Sequence, residues 1–165
     1  MDEPVSPPEA EFQRGVLQAL DMHTAGMVAV LRRVIGHAYP DQVAGVSFEV
    51  FSDGFQEGFP VHMYLMDKED DWLLEPEGSR ATGSMPVYPG LLKIDRVYGP
   101  ELPGVLHSKL PEADDWDLAT DSLIRWFGKC WVDAGGSAFS RRAWIQHHDS
   151  IFRFDLAKQA WYRCK

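Results

Sequence analysis

Val46-Ser47-Phe48-Glu49-Val50 and Val61-His62-Met63-Tyr64-Leu65 decide how this chain is read. In both runs apolar and polar residues alternate. Side chains alternate across a strand, so Val46, Phe48, Val50, Val61, Met63 and Leu65 share one face. Ser47, Glu49, His62 and Tyr64 share the other. Between the runs lie Ser52-Asp53-Gly54 and Gly58, which supply turn chemistry. The two runs therefore predict a β-hairpin with a longer loop. Lys68-Glu69-Asp70-Asp71 reads as a charged turn, and Trp72-Leu73-Leu74 as a third short strand.

Upstream the period changes. Residues 1–8 are polar and Pro-rich and read as a flexible arm. From Pro8 to Ile35, Phe12, Val16, Leu20, His23, Met27, Leu31 and Val34 recur at steps of three or four. That spacing predicts one helix with one apolar stripe. Gly36 can close it, and Pro40 prevents it from resuming.

Downstream, Pro76, Gly78, Gly83, Pro86, Pro89 and Gly90 mark a loop over 76–90. Leu91–Tyr98 reads as a fourth strand, and 99–111 as a second Pro/Gly loop. Asp114, Asp115 and Asp117 then place negative charge at the positive end of a helix dipole. Leu123, Phe127, Cys130 and Ala134 form that helix's stripe, widened by Ile124 and Trp131. Gly135-Gly136 supplies its left-handed stop. Phe152, Phe154 and Leu156 alternate with Arg153 and Asp155, and Trp161 follows a short turn, so a final hairpin is expected. Residues 137–149 fit helix or strand. The order of elements lacks a regular βαβ alternation. It predicts an α+β fold, with a mostly antiparallel sheet of about five to seven strands packed on two main helices. Residues 9–165 read as one domain behind the arm 1–8.

Composition narrows the function classes. The chain has 165 residues, 45% of them hydrophobic and 25% charged, which are globular proportions. Its net charge is −9, unevenly spread. Residues 1–121 hold 22 acids and 8 bases, and residues 122–165 hold 3 acids and 8 bases. An acidic body repels phosphates, which argues against nucleic acid and favours a basic partner. Arg141, Arg142, Arg153, Lys158 and Arg163, interleaved with Trp144, Phe152, Trp161 and Tyr162, keep single-stranded nucleic acid as a minor option. Two distant cysteines, Cys130 and Cys164, do not make a disulfide framework, so free thiols are expected. The acidic N-terminus lacks a signal-peptide core, and no apolar run approaches the ~18 residues of a membrane span. A cytoplasmic protein is the expectation.

Catalytic signatures are sparse. His147-His148-Asp149 is the most metal-like cluster, but neighbours on a strand point to opposite faces, so no metal site is assigned. No HExxH, CxxC, G-x-S-x-G or phosphate-loop spacing is present, and no cofactor is expected. Glu49, His62 and Tyr64 on the polar face of the first hairpin form one candidate pocket, with His62 as a general base.

The aromatic content points elsewhere. Six Trp, nine Phe and five Tyr are too many for the core stripes alone. Trp72 follows Asp70 and Asp71, and Trp116 lies within Asp114-Asp115-Trp116-Asp117. Aromatic anchors rimmed by carboxylates suit the binding of a basic protein. Small, acidic, α+β, Trp-rich and poor in catalytic motifs, the chain resembles in format the immunity proteins that neutralise bacterial toxins. That resemblance implies a bacterial, non-enzymatic protein that occludes its partner. It is a likeness of type and transfers no residues. The expected interface is Asp70, Asp71, Trp72, Asp114, Asp115 and Trp116. The alternative is a small enzyme or ligand-binding domain at Glu49, His62 and Tyr64.

Overall fold

The computed structural model describes residues 4–74 and 91–164. Within them the chain runs α1 (Pro7–Asp21), α2 (Thr24–Gly36), β1 (Gly45–Val50), β2 (Val61–Met66), β3 (Trp72–Leu74), α3 (Glu101–Lys109), α4 (Asp115–Asp133), β4 (Arg142–His147), β5 (Phe152–Asp155) and β6 (Ala160–Arg163). The fold is α+β. The strands make one six-stranded sheet in the order β3-β2-β1-β4-β5-β6. Every neighbouring pair is antiparallel except β1 and β4, which run parallel. A parallel pair needs a long crossover, and α3 and α4 lie in that connection.

The hairpin periodicity sets the layers. Val46 pairs with Leu65, Phe48 with Met63 and Val50 with Val61, all buried towards the helices. Phe12, Val16 and Leu20 of α1, Met27 and Leu31 of α2, and Leu123, Phe127 and Trp131 of α4 meet them. The Phe48 ring lies 4.8 Å from that of Phe127 and 6.0 Å from that of Trp131. Each such large side chain contributes about 1.5–3 kcal/mol on burial, so this layer dominates the fold's stability.

Several elements depart from the expectation. The first helix is two helices, bent at Met22-His23. Continued straight, 7–36 would extend about 45 Å, well past a domain of this size. His23 is therefore at the bend, not on the stripe, and its N–H donates to Leu20 O at 2.8 Å. Thr24 Oγ1 accepts from Trp126 Nε1 at 2.9 Å and ties the start of α2 to α4. Helix α1 begins inside the stretch read as an arm, because Ser6 makes a capping box with Glu9. The main helices thus number more than two.

Residues 91–98 are not a strand. The segment instead anchors apolar side chains: Tyr98 stacks on Phe55 at 5.3 Å, and Val97 N–H donates to Phe55 O. Residues 101–109, expected as loop, form α3. Pro103 falls in its first turn, where the missing N–H has no helical partner to lose. The open stretch 137–149 resolves into a 3₁₀ turn at Gly136–Ala138 and strand β4. The loop expected over 76–90 lies outside the described residues.

Candidate functional site

The face of the sheet turned away from the helices carries the polar positions of the strands. Its central row, read through the registers, is His62, Glu49, Gln146, Arg153 and Tyr162. Glu49 is buried and accepts from His148 Nδ1 at 2.9 Å. The Phe51 ring stacks on His148 at 4.3 Å and leans on His62 at 4.6 Å. The sheet thus brings Glu49 and His62 together, as alternation implied, and adds His148, which the sequence reading singled out only within the metal-like run His147-His148-Asp149. Tyr64 is one row away, stacked on Trp72 at 4.7 Å.

The same face ends in a cation–carboxylate bridge over Trp144. Arg153 Cζ stands 4.4 Å from the Trp144 ring and Arg142 Cζ 5.4 Å. Asp70 pairs with both guanidiniums, at 2.7 Å to Arg142 and 2.9 Å to Arg153. Burial pushes the Asp70 carboxyl up. The hydrogen bonds from Arg153 and Arg142 outweigh it and hold the group below its ordinary range. Asp70 therefore serves inside the fold. Arg141 is also engaged, donating to Val43 O and Tyr39 O. Three of the five bases of the C-terminal cluster are thus held by internal partners.

The six expected interface residues fall into two groups. Asp70, Asp71 and Trp72 sit at the β3 edge, where Trp72 is half-exposed. Asp114, Asp115 and Trp116 sit at the start of α4. Asp114 caps that helix through Asp117 N–H at 3.0 Å, Asp115 faces His107 at 3.2 Å, and Trp116 is half-exposed. Aromatic and acidic side chains next to these α4 residues line a hollow of about 580 Å³. Its walls include Asp117, Thr120 and Asp121 of α4, Phe152 of β5 and Trp161 of β6. Strands β3 and β5 are four places apart in the sheet, roughly 19 Å at ordinary strand spacing. The two acidic-aromatic groups thus sit on different elements, one at the β3 edge and one at the start of α4.

The hollow has a simple origin. Phe152 and Trp161 share the helix-side face with Phe154, which pairs with Trp161. Strands β5 and β6 extend beyond the helical layer, so these two rings are left 50% and 46% exposed. Thr120 lines the hollow at 3% exposure, and its hydroxyl makes no hydrogen bond among the described residues. Sequence reasoning had placed Phe152 and Trp161 only in the final hairpin and the basic cluster. Their role depends on where the helices stop covering the sheet, which no local pattern encodes. The i, i+4 pairs Trp116/Thr120 and Asp117/Asp121 did carry a local signal, since each pair shares a helix face.

His147 Nε2 lies 3.1 Å from Ser52 Oγ, but no carboxylate is recorded on the imidazole's other nitrogen, so no triad forms among the described residues. Burial pushes the Cys130 thiol up to about 12, which keeps it protonated and inert. Among the described residues no group of three His, Cys, Asp or Glu is placed to hold a metal, and no helix is long and apolar enough to cross a membrane. Comparison with family models, curated proteins and solved structures finds no match to this chain.

Proposed function

We propose that this chain is a non-enzymatic interaction protein that captures a basic partner, in the manner of an immunity protein occluding a toxin. The binding site is the acidic-aromatic hollow, with Asp114, Asp115 and Trp116 as its flank. One observation carries the reading: half-exposed Phe152 and Trp161 converge with Asp117 and Asp121 on a single concavity of a chain with net charge −9. Large apolar rings left in water beside carboxylates are the ingredients of a desolvated anchor with electrostatic steering. The test is co-purification from the native host at low salt, with wild type beside Trp161→Ala and Asp117→Lys. One stoichiometric basic protein, lost in both variants and released by salt, supports the reading. Equal capture by all three proteins contradicts it.

A second reading keeps a ligand-binding or catalytic role for the outer sheet face. What favours it is the buried Glu49 joined to His148, with His62 one strand away. A carboxylate–imidazole pair can serve as a general base. A ligand or activity screen in which His62→Ala and His148→Ala change the pH profile would support it. Unchanged profiles in both variants would count against it.

A further inference from the structure

The chemistry of the hollow narrows what can fill it. Two carboxylates line it, and no Lys or Arg does. Asp121 is bound by Arg125 one turn along the helix, at 2.9 Å. Asp117, one turn earlier, is exposed and makes no ion pair among the described residues. Thr120 adds a buried hydroxyl without a partner among the described residues, an arrangement that costs stability until something bonds to it. Gln13, also on the wall, donates through Nε2 to Leu118 O at 3.4 Å, which leaves its Oε1 as an acceptor. Phe152 and Trp161 give the hollow its open ring faces, and Val5, Leu118, Ile124, His147 and Ser150 complete the lining.

Carboxylate and neutral acceptors beside open aromatic faces suit a planar cation that donates in several directions. A guanidinium is such a cation: it stacks on rings and is weakly hydrated. An ammonium is a compact, strongly hydrated charge that uses the ring faces less well. We infer that the hollow is a receptor for an arginine side chain of the partner, stacked against Trp161 and Phe152 and hydrogen-bonded to Asp117 and Thr120. This rests on the capture reading above and specifies what is captured.

The test uses short peptides as probes. The ¹⁵N-labelled protein is titrated with Gly-Arg-Gly-Arg-Gly, its Lys and Glu counterparts, and spermidine, and the Trp161 indole N–H signal is followed. The expected result is a saturable shift with the Arg peptide, at least about fivefold tighter than with Lys or spermidine. Thr120→Val weakens that binding about tenfold, the effect of one hydrogen bond to a charged donor, while raising the melting temperature by removing the unpartnered hydroxyl. Asp117→Asn weakens it with a drop of only about 2–4 °C in melting temperature, from the lost first-turn charge. Equal affinity for Arg, Lys and spermidine would overturn the inference, as would Thr120→Val and Asp117→Asn that bind like wild type. If a basic partner engages Trp161 yet no Arg preference appears, capture stands and the arginine receptor falls. If the Arg peptide binds yet no protein partner engages this edge, the receptor stands and capture falls.

Discussion

Asp70 Oδ2 lies 2.9 Å from Arg153 Nη1, joining the turn after β2 to β5 across the Trp144 indole. Arg153 is mostly buried on the outer sheet face and also donates to Gln146 Oε1 and to the Tyr162 hydroxyl. A guanidinium in that position needs a counter-charge, and Asp70 supplies it. Asp70 holds its place at positive φ (64°), which few residues other than glycine adopt.

Asp70→Ala leaves Arg153 partly buried and unpaired, and should destabilise the fold by about 1–3 kcal/mol, since the pair is only partly desolvated. Chemical denaturation of the variant measures this. The pH dependence follows from the lowered Asp70 pKa. A carboxyl held below its unfolded value contributes its stability above that unfolded value. The contribution is lost as pH falls from about 4 through the lower folded value. Asp70→Asn should therefore flatten the acid limb of the stability curve. An unchanged acid limb would show that other carboxylates dominate it.

Gly136 tests the packing at the end of α4. A Cβ there would overlap the buried Trp131 indole, with which it cannot share the space. Gly136→Ala should cost about 2–4 kcal/mol through displacement of a central core ring. Its neighbour Gly135 has φ +91° and open space around it, so Gly135→Ala is penalised by backbone conformation alone, by about 1–2 kcal/mol. Thermal melts of the two variants should rank them in that order.

Ser6 caps α1 through Glu9 N–H, and the Glu9 carboxylate returns the bond to Ser6 N–H. Ser6→Ala should cost about 1 kcal/mol. A fully stable variant would place the start of α1 elsewhere.

Trp161 and Trp72 separate the two acidic-aromatic groups. Trp161→Ala should weaken capture of the basic partner by about 2 kcal/mol or more, as loss of a central aromatic anchor does. Trp72→Ala, at the far sheet edge, should leave the affinity within roughly 0.5 kcal/mol while loosening its stack on Tyr64. Rising salt should slow association in both. Calorimetric titration of the isolated partner decides the ranking.

Much of the fold was legible because side-chain facing followed period, although the polar-face Ser47 and Glu49 of β1 are buried too. Val46, Phe48 and Val50 alternate in sequence and face the core together in β1, and the α4 stripe of Leu123, Phe127 and Cys130 is buried as spaced. What stayed hidden depended on competition for space. Leu91–Tyr98 has strand-like residues, but Val97 and Tyr98 pack on Phe55 instead of joining the sheet, and the helix over 7–36 is broken at Met22-His23. The site was half legible. Trp116 and its flanking aspartates could be read as an exposed cluster, since charge on both sides of a Trp argues against burial. Asp70 looked alike in sequence, and only the fold supplies Arg142 and Arg153 as its partners. Thr120, Phe152 and Trp161 carry ordinary core-pattern signals, and the hollow they make exists because β5 and β6 outreach the helices.

The most direct measurement is site-specific photo-cross-linking in the native host, with a photoreactive phenylalanine analogue at position 161 in one protein and at position 72 in another. The account predicts that position 161 cross-links to an Arg-containing basic segment of one protein and that position 72 does not. Cross-links from position 72 alone, or from neither position, would contradict capture at the hollow.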